Sequence, residues 1–156
     1  IKTVKNLRNE GFFIKLNIIG SGPDEQKLNK ITENFNYIKI DKWSKKLKIF
    51  FRNANLFILP SFYEGSPNVL LDAVNNNVPI LSSNCSGARD ILKNNKQYIF
   101  KINNLNQLKK KIIDIILNYN DAIKKTKINK INIKKFTSKN LNLYLKEINL
   151  LYEKKN

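Results

Sequence analysis

The sequence predicts an α/β fold: a Rossmann-like parallel sheet flanked by helices. Three observations carry that expectation. Short apolar runs alternate with stretches of helical periodicity, the pattern of right-handed βαβ crossovers. The runs end in Gly, Asp, Pro, Ser or Asn, as strands do where they turn into loops. Hydrophobic residues make up 42% of the 156, enough for a packed core and too many for a disordered chain.

Each element follows from its local pattern. Ile1, Val4 and Leu7 recur at helical spacing and Gly11 closes the run, so residues 1–10 read as the tail of an amphipathic helix. Phe13 to Ile19 is a β-rich run ended by Gly20-Ser21-Gly22-Pro23. A helix is expected from Asp24 to Phe35, with Pro23 suited to its first turn and Leu28 and Ile31 inward. Tyr37 to Ile40 is a short strand, and Ser44 caps a helix through Leu47, Phe50 and Phe51. Leu56 to Leu59, halted by Pro60, has the continuous apolar character of a strand buried on both faces. Beyond the polar turn Ser61 to Ser66, a helix runs from Pro67 to about Asn75. Pro79 to Ser82 is the next buried strand, Gly87 to Leu92 a short helix, and Tyr98 to Ile102 a last strand. From Leu105 a helix presents Leu108, Ile112, Ile115 and Ile116 on one face. A break at Phe136-Thr137-Ser138 precedes a helical C-terminal tail carrying Leu141, Leu145, Ile148, Leu151 and Tyr152.

Composition excludes several classes of function. One cysteine rules out an internal disulfide framework, and with no histidine it leaves little for a zinc or haem site. No apolar run reaches the ~20 residues of a membrane-spanning helix. The chain opens on Ile1 without a signal peptide and reads as an excerpt of a longer cytosolic protein. The formal charge of +17 raises the question of nucleic acid. Asn, Ile and Lys dominate together, though, as AT-rich codons would produce, and no basic stripe interleaves with aromatics. Specific nucleic-acid binding is therefore not expected. A basic surface facing anionic lipid at the inner side of the cell membrane is the milder use of this charge.

Ligands of such sheets bind beyond the carboxyl ends of the strands, and three loops fall there. In Gly20-Ser21-Gly22-Pro23 the glycines let backbone approach a ligand, yet the loop lacks both the third glycine of a dinucleotide fingerprint and the Lys-Ser/Thr of a P-loop. In the second loop Ser66 is expected as N-cap and Pro67 as first helical residue, leaving the Asn68 and Val69 amides unpaired at a helix start suited to phosphate. Glu64 stands just outside that cradle and Asp72 roughly 7–8 Å down the helix. Two acceptors flanking a diphosphate could take hydroxyls on either side of it. Equally, Glu64 could cap locally and Asp72 be merely solvated. The third loop, Ser82-Ser83-Asn84-Cys85-Ser86-Gly87, also allows close approach, but no histidine exists to activate Cys85 as a nucleophile.

Taken together, Gly20-Ser21-Gly22-Pro23, the stretch Asn53 to Ser61, the stretch Glu64 to Ala73, Val78-Pro79-Ile80 and the stretch Gly87 to Leu92 resemble the family 4 glycosyltransferases of the GT-B fold. The resemblance covers nearly the whole chain. Ser66 to Leu71 is similar to the branch acting on lipid-linked oligosaccharides and surface polysaccharides.

That resemblance implies that residues 1–156 form the C-terminal, nucleotide-sugar-binding half of a GT-B enzyme. Its first strand, which carries a diphosphate-clamping Arg and Lys, and the acceptor-binding N-terminal domain would lie upstream. It implies retaining sugar transfer from a nucleotide diphosphate donor to a cell-envelope glycan or lipid-linked acceptor, in the cytoplasm, with no tightly bound metal and no other cofactor. The family's paired acidic positions fall on Glu64, at the donor sugar and catalytic, and Asp72, at the ribose. Gly20, Ser21, Gly22, Ile40, Gly65, Ser66, Asn68 and Val69 complete the implied donor site. Asp72 replaces the usual Glu and is one methylene shorter, so its ribose contact is direct in a shifted pose, water-bridged or lost. Asp41 replaces a common Gly in the segment that faces the nucleobase in relatives. The competing readings are a GT-B epimerase or phosphorylase, and a non-catalytic module, either degenerate or a basic binder of nucleic acid.

Overall fold

A computed structural model describes residues 1–43, 47–92 and 96–128. Helices and strands alternate: α1 (Lys2–Asn9), β1 (Leu16–Ile19), α2 (Glu25–Thr32), β2 (Ile38–Asp41), α3 (Leu47–Arg52), β3 (Phe57–Leu59), α4 (Asn68–Asn75), β4 (Ile80–Ser83), α5 (Ser86–Leu92), β5 (Ile99–Phe100) and α6 (Leu105–Leu117). A 3₁₀ turn, Lys96–Tyr98, leads into β5, and residues 119–128 are helical beyond Asn118. All strand pairings among the described residues are parallel.

The parallel α/β class is as expected, but the sheet is in two pieces. β1 pairs with β2, Ile18 opposite Ile40, while β3, β4 and β5 form a separate sheet in that order, Ile58 opposite Leu81. A parallel strand turns alternate residues toward alternate neighbours. In β1 the amides of Leu16 and, just past the strand, Gly20 donate to Tyr37 and Asp41 at 2.8 and 3.0 Å, so Asn17 and Ile19 present their backbone groups to the other side. In β3 the Phe57 amide donates to Pro79 at 2.8 Å, so Ile58 likewise faces away from β4. β1 and β3 thus each leave one side unpaired among the described residues, as do the outer strands β2 and β5.

Helix α1 touches both pieces. Leu7 is fully buried in a core with Leu81, Phe100, Ile112 and Ile115 that joins the three-stranded sheet to α6. On the other side Lys5 lies 4.1 Å from the Phe35 ring, and the Arg8 guanidinium 4.6 Å from Tyr37 and 4.7 Å from Phe13. A second core packs Phe51, Leu70, Val74, Ile80, Ala88 and Tyr98 together, so α3, α4 and α5 share it with β3 and β4. Burying one such Leu completely contributes about 1.5–3 kcal/mol. Both well-formed helix stops use a left-handed residue. Gly11 (φ 90°) ends α1 with the Phe12 amide on the Leu7 carbonyl, and Asn77 (φ 59°) ends α4 with the Val78 amide on that of Ala73.

Several expected boundaries move. β1 starts at Leu16, because Phe13 is 96% exposed and turned out under Arg8. Ile31 is 47% exposed, and Thr32 is the residue buried on α2, its Oγ donating to the Leu28 carbonyl. Pro23 precedes α2 rather than joining its first turn. Ile116 faces outward, leaving Ile112 and Ile115 as the buried pair of α6. The last strand contracts to Ile99–Phe100, since the 3₁₀ turn takes up Tyr98. Ser44 and the expected tail from Phe136 lie outside the described residues.

The unpaired edges have a measurable consequence. In amide hydrogen exchange followed by NMR, Asn17, Ile19 and Ile58 should exchange at least about tenfold faster than their neighbours Ile18 and Leu59, which donate across the ladders. Equal protection would show that the two sheets are joined in solution.

Candidate active site

Loops gather at the carboxyl end of each sheet. On the two-stranded sheet the loop after β1 lies against the end of β2: the Gly20 amide donates to the Asp41 carbonyl, and the Trp43 amide donates to Ser21 Oγ at 3.4 Å. Neither Gly20 nor Gly22 has a positive φ, and a Cβ at either would meet nothing within 4 Å. The chain's own packing does not require glycine there. The same openness holds at Gly65. Ile40, in β2, is half-buried beside Ile18.

On the three-stranded sheet the loop after β3 is pinned from below. Ser83 Oγ, at the end of β4, donates to the Ser61 carbonyl, and Ser61 Oγ donates to Glu64 Oε1 at 2.8 Å. The Glu64 carbonyl accepts from the Gly87 amide at 2.9 Å and from Ser86 Oγ at 3.2 Å. This contact needs a glycine. A Cβ at position 87 would sit 2.7 Å from the Glu64 carbonyl oxygen and 2.7 Å from Pro67 Cδ, and closer still to the Gly65 carbonyl. Gly87 therefore admits the protein's own loop, where sequence reasoning left that space to a ligand.

Helix α4 begins one residue later than expected. Pro67, not Ser66, is the flanking residue, without a side-chain cap, and Ser66 is exposed outside the helix. Pro67 is buried against Gly87, which fixes the helix start by packing in place of a hydroxyl. The first amide to find a backbone acceptor is that of Leu70, on the Pro67 carbonyl at 2.9 Å. The amides of Asn68 and Val69 precede it and have no partner among the described residues, so the positive end of the helix dipole is open to an anion. Asp72 is exposed on the same face as Asn68, four residues on and about 6 Å along the axis.

The sequence-predicted residues thus form two groups. Glu64, Gly65, Ser66, Asn68, Val69 and Asp72 sit on the loop after β3 and on α4, and Gly20, Ser21, Gly22 and Ile40 on the smaller sheet. No hydrogen bond or ion pair among the described residues joins the two groups. Sequence reasoning missed Ser61, Ser83 and Ser86 as the residues that hold Glu64. Their signal was the run of small hydroxyls at Ser82, Ser83 and Ser86, which marks a close approach without saying what approaches.

Comparison with known proteins identifies the family and the fold. The family model for glycosyl transferases group 1 matches residues 1–136. The chain belongs to that family. It is 33% identical over 99% of its length to Protein CapJ of Staphylococcus aureus, covering 40% of that protein. It is 31% identical over 60% of its length to the capsular polysaccharide biosynthesis glycosyltransferase CapM of the same species, covering 26% of it. Among solved structures TarM superposes with a TM-score of 0.75 at 21% identity, over 92% of this chain and 31% of TarM. The fold is that of GT-B glycosyltransferases, and the chain spans less than half the length of these relatives.

The Gly87 contact yields a stability test. Gly87→Ala should destabilise the protein by about 1–3 kcal/mol, the usual range for overpacking a filled site. Urea unfolding measures this directly, and an unchanged midpoint would mean that the loop after β3 is not clamped in solution.

Proposed function

We propose that the chain is the donor-binding half of a retaining glycosyltransferase that moves a sugar from a nucleotide diphosphate to a cell-envelope glycan or lipid-linked acceptor. The observation that carries the reading is the Glu64 carboxylate, held by Ser61, on the loop that leads into the unpartnered amides at the start of α4. The name of CapM supports the class of product.

The chemistry follows from charge. Breaking the bond between sugar and diphosphate builds negative charge on the leaving phosphate and positive charge at the anomeric carbon. The Asn68 and Val69 amides, with the helix dipole behind them, suit the leaving phosphate and need no reorganisation as charge grows. Glu64 suits the sugar side as a hydrogen-bond acceptor and a counter-charge, held in one orientation by the Ser61 hydroxyl. The open backbone at Gly20 and Gly22 gives the diphosphate a second wall. Asp72 is the acceptor for the ribose hydroxyls. In this reading the nucleotide diphosphate sugar is the co-substrate, and no tightly held metal takes part.

The reading extends to what adjoins the chain. The two unpaired edges suit a further parallel strand between β1 and β3, and an acceptor-binding domain would stand in front of it. Among the described residues no helix is long and apolar enough to cross a membrane. A cytoplasmic enzyme working at the inner face of the membrane, drawn there by its +17 charge, fits a lipid-linked acceptor.

Two substitutions test the reading in a protein carrying both halves. Glu64→Gln should lower kcat by about tenfold or more, equivalent to roughly 1.4 kcal/mol. Unchanged kcat and KM in a folded variant would reject the role. Asp72→Ala should weaken donor binding by about tenfold in calorimetry, and Asp72→Glu should preserve or improve it. Equal affinity for ribose and deoxyribose nucleotides, with a silent Asp72→Ala, would remove the ribose contact and favour a module that no longer catalyses.

A further inference from the structure

We propose that Ser61 is a positioning residue of the sugar transfer, one that aims the Glu64 carboxylate without neutralising it. The inference rests on the donor-binding reading above, in which Glu64 serves the sugar side. It adds a second residue to the reaction, acting through the first.

Ser61 and Glu64 spell Ser-x-x-Glu, the pattern of a helix capping box, in which the serine oxygen accepts from the backbone amide of the glutamate. The segment is used differently here. Residues 60–66 are not helical, and Ser61 Oγ donates to the side chain, to Glu64 Oε1 at 2.8 Å. Bonds between two side chains are the least common kind in folded proteins. This one spans the exposed Phe62 and Tyr63, and it is the carboxylate's single hydrogen bond or ion pair among the described residues.

Both ends of the bond are placed by other contacts. Ser61 follows Pro60, and its carbonyl accepts from the buried Ser83 hydroxyl of β4. The Glu64 carbonyl accepts from the Gly87 amide and from Ser86 Oγ. All of these anchors use main-chain oxygens of the loop, so they stand when the Ser61 hydroxyl is removed. The hydroxyl is left with one task, the direction of a side chain whose torsions are otherwise free.

A lysine or arginine would also hold a carboxylate, but it would offset the charge. Positive charge grows at the anomeric carbon as the donor bond breaks, and an offset carboxylate attracts it less. A neutral hydroxyl keeps the full counter-charge. It takes one lone-pair direction of Oε1 and leaves Oε2, without a partner among the described residues, free for the sugar.

The test follows release of nucleoside diphosphate with water as acceptor, in a protein carrying both halves. The donors are uridine diphosphate glucose, galactose and N-acetylglucosamine, and guanosine diphosphate mannose. With a donor that is turned over, Ser61→Ala should lower kcat by about three- to tenfold, and by no more than Glu64→Gln does, with donor KM within about twofold. Ser61→Thr, which keeps the hydroxyl, should return kcat to within about twofold of the starting protein. In a Glu64→Ala background, Ser61→Ala should have no further effect, because its action passes through that carboxylate. The urea midpoint of Ser61→Ala should not move. Unchanged kcat in Ser61→Ala beside an impaired Glu64→Gln would overturn the inference and leave the donor reading standing. A lowered urea midpoint, a folded Ser61→Thr without rescue, or an additive loss in the Glu64→Ala background would overturn it too. If no donor is turned over, or Glu64→Gln is fully active, the donor reading falls and this inference with it.

Discussion

The contact between Gly87 and the loop after β3 is the constraint on which the candidate site depends. A backbone without a side chain at position 87 lets α5 come close enough for its amide to reach the Glu64 carbonyl, with Pro67 packed beside it. Two consequences follow from one approach. The Glu64 backbone is fixed, so its carboxylate meets Ser61. The start of α4 is also fixed, because the buried Pro67 sets where helical geometry begins. The loop that bears Glu64 is thereby held by the sheet's own neighbours: Ser83 below, Ser86 and Gly87 at the side. Preorganisation of this kind matters because donors already in position stabilise developing charge without moving.

The second constraint is the break between the sheets. Five parallel strands would ordinarily share one ladder, yet the unpaired edges on β1 and β3 leave α1 as a main link between the pieces. Helix α1 joins them through unlike interactions. Leu7 is buried against the larger sheet and α6, while Lys5 and Arg8 lie on aromatic rings beside the smaller one. Cation–π contacts at partly exposed sites contribute about 0.5–1 kcal/mol each, less than a fully buried leucine. The smaller sheet is thus the more weakly held piece, and it carries the glycine loop and Asp41.

Local signals were well placed in the sequence where one residue decides the backbone. Gly11 ends α1, Pro60 ends the run through β3, and Ile80-Leu81 marks a strand buried on both faces, whereas Leu56 to Ile58 are only half-buried. Reading failed where two segments compete for the same role. Phe13 has strand propensity, but Arg8 offers its ring a cation at the surface. Ser66 is a good N-cap by type, but the packing of Pro67 on Gly87 starts the helix later. Ile31 and Ile116 obey helical spacing, yet the described structure covers them only in part.

By itself the sequence determined the parallel α/β class and the order of the elements, because periodicity and chain-breaking residues act over a few positions. It also placed Glu64 and Asp72 in one loop–helix unit, since a helix rises only ~1.5 Å per residue. Only the tertiary structure decided what holds Glu64, why position 87 must be glycine, and that the sheet divides beside β1 and β3. The first two depend on residues about twenty positions apart, Ser61 with Ser83 and Glu64 with Gly87, meeting through space. A strand's spacing along the chain carries no record of which neighbour its edge will find.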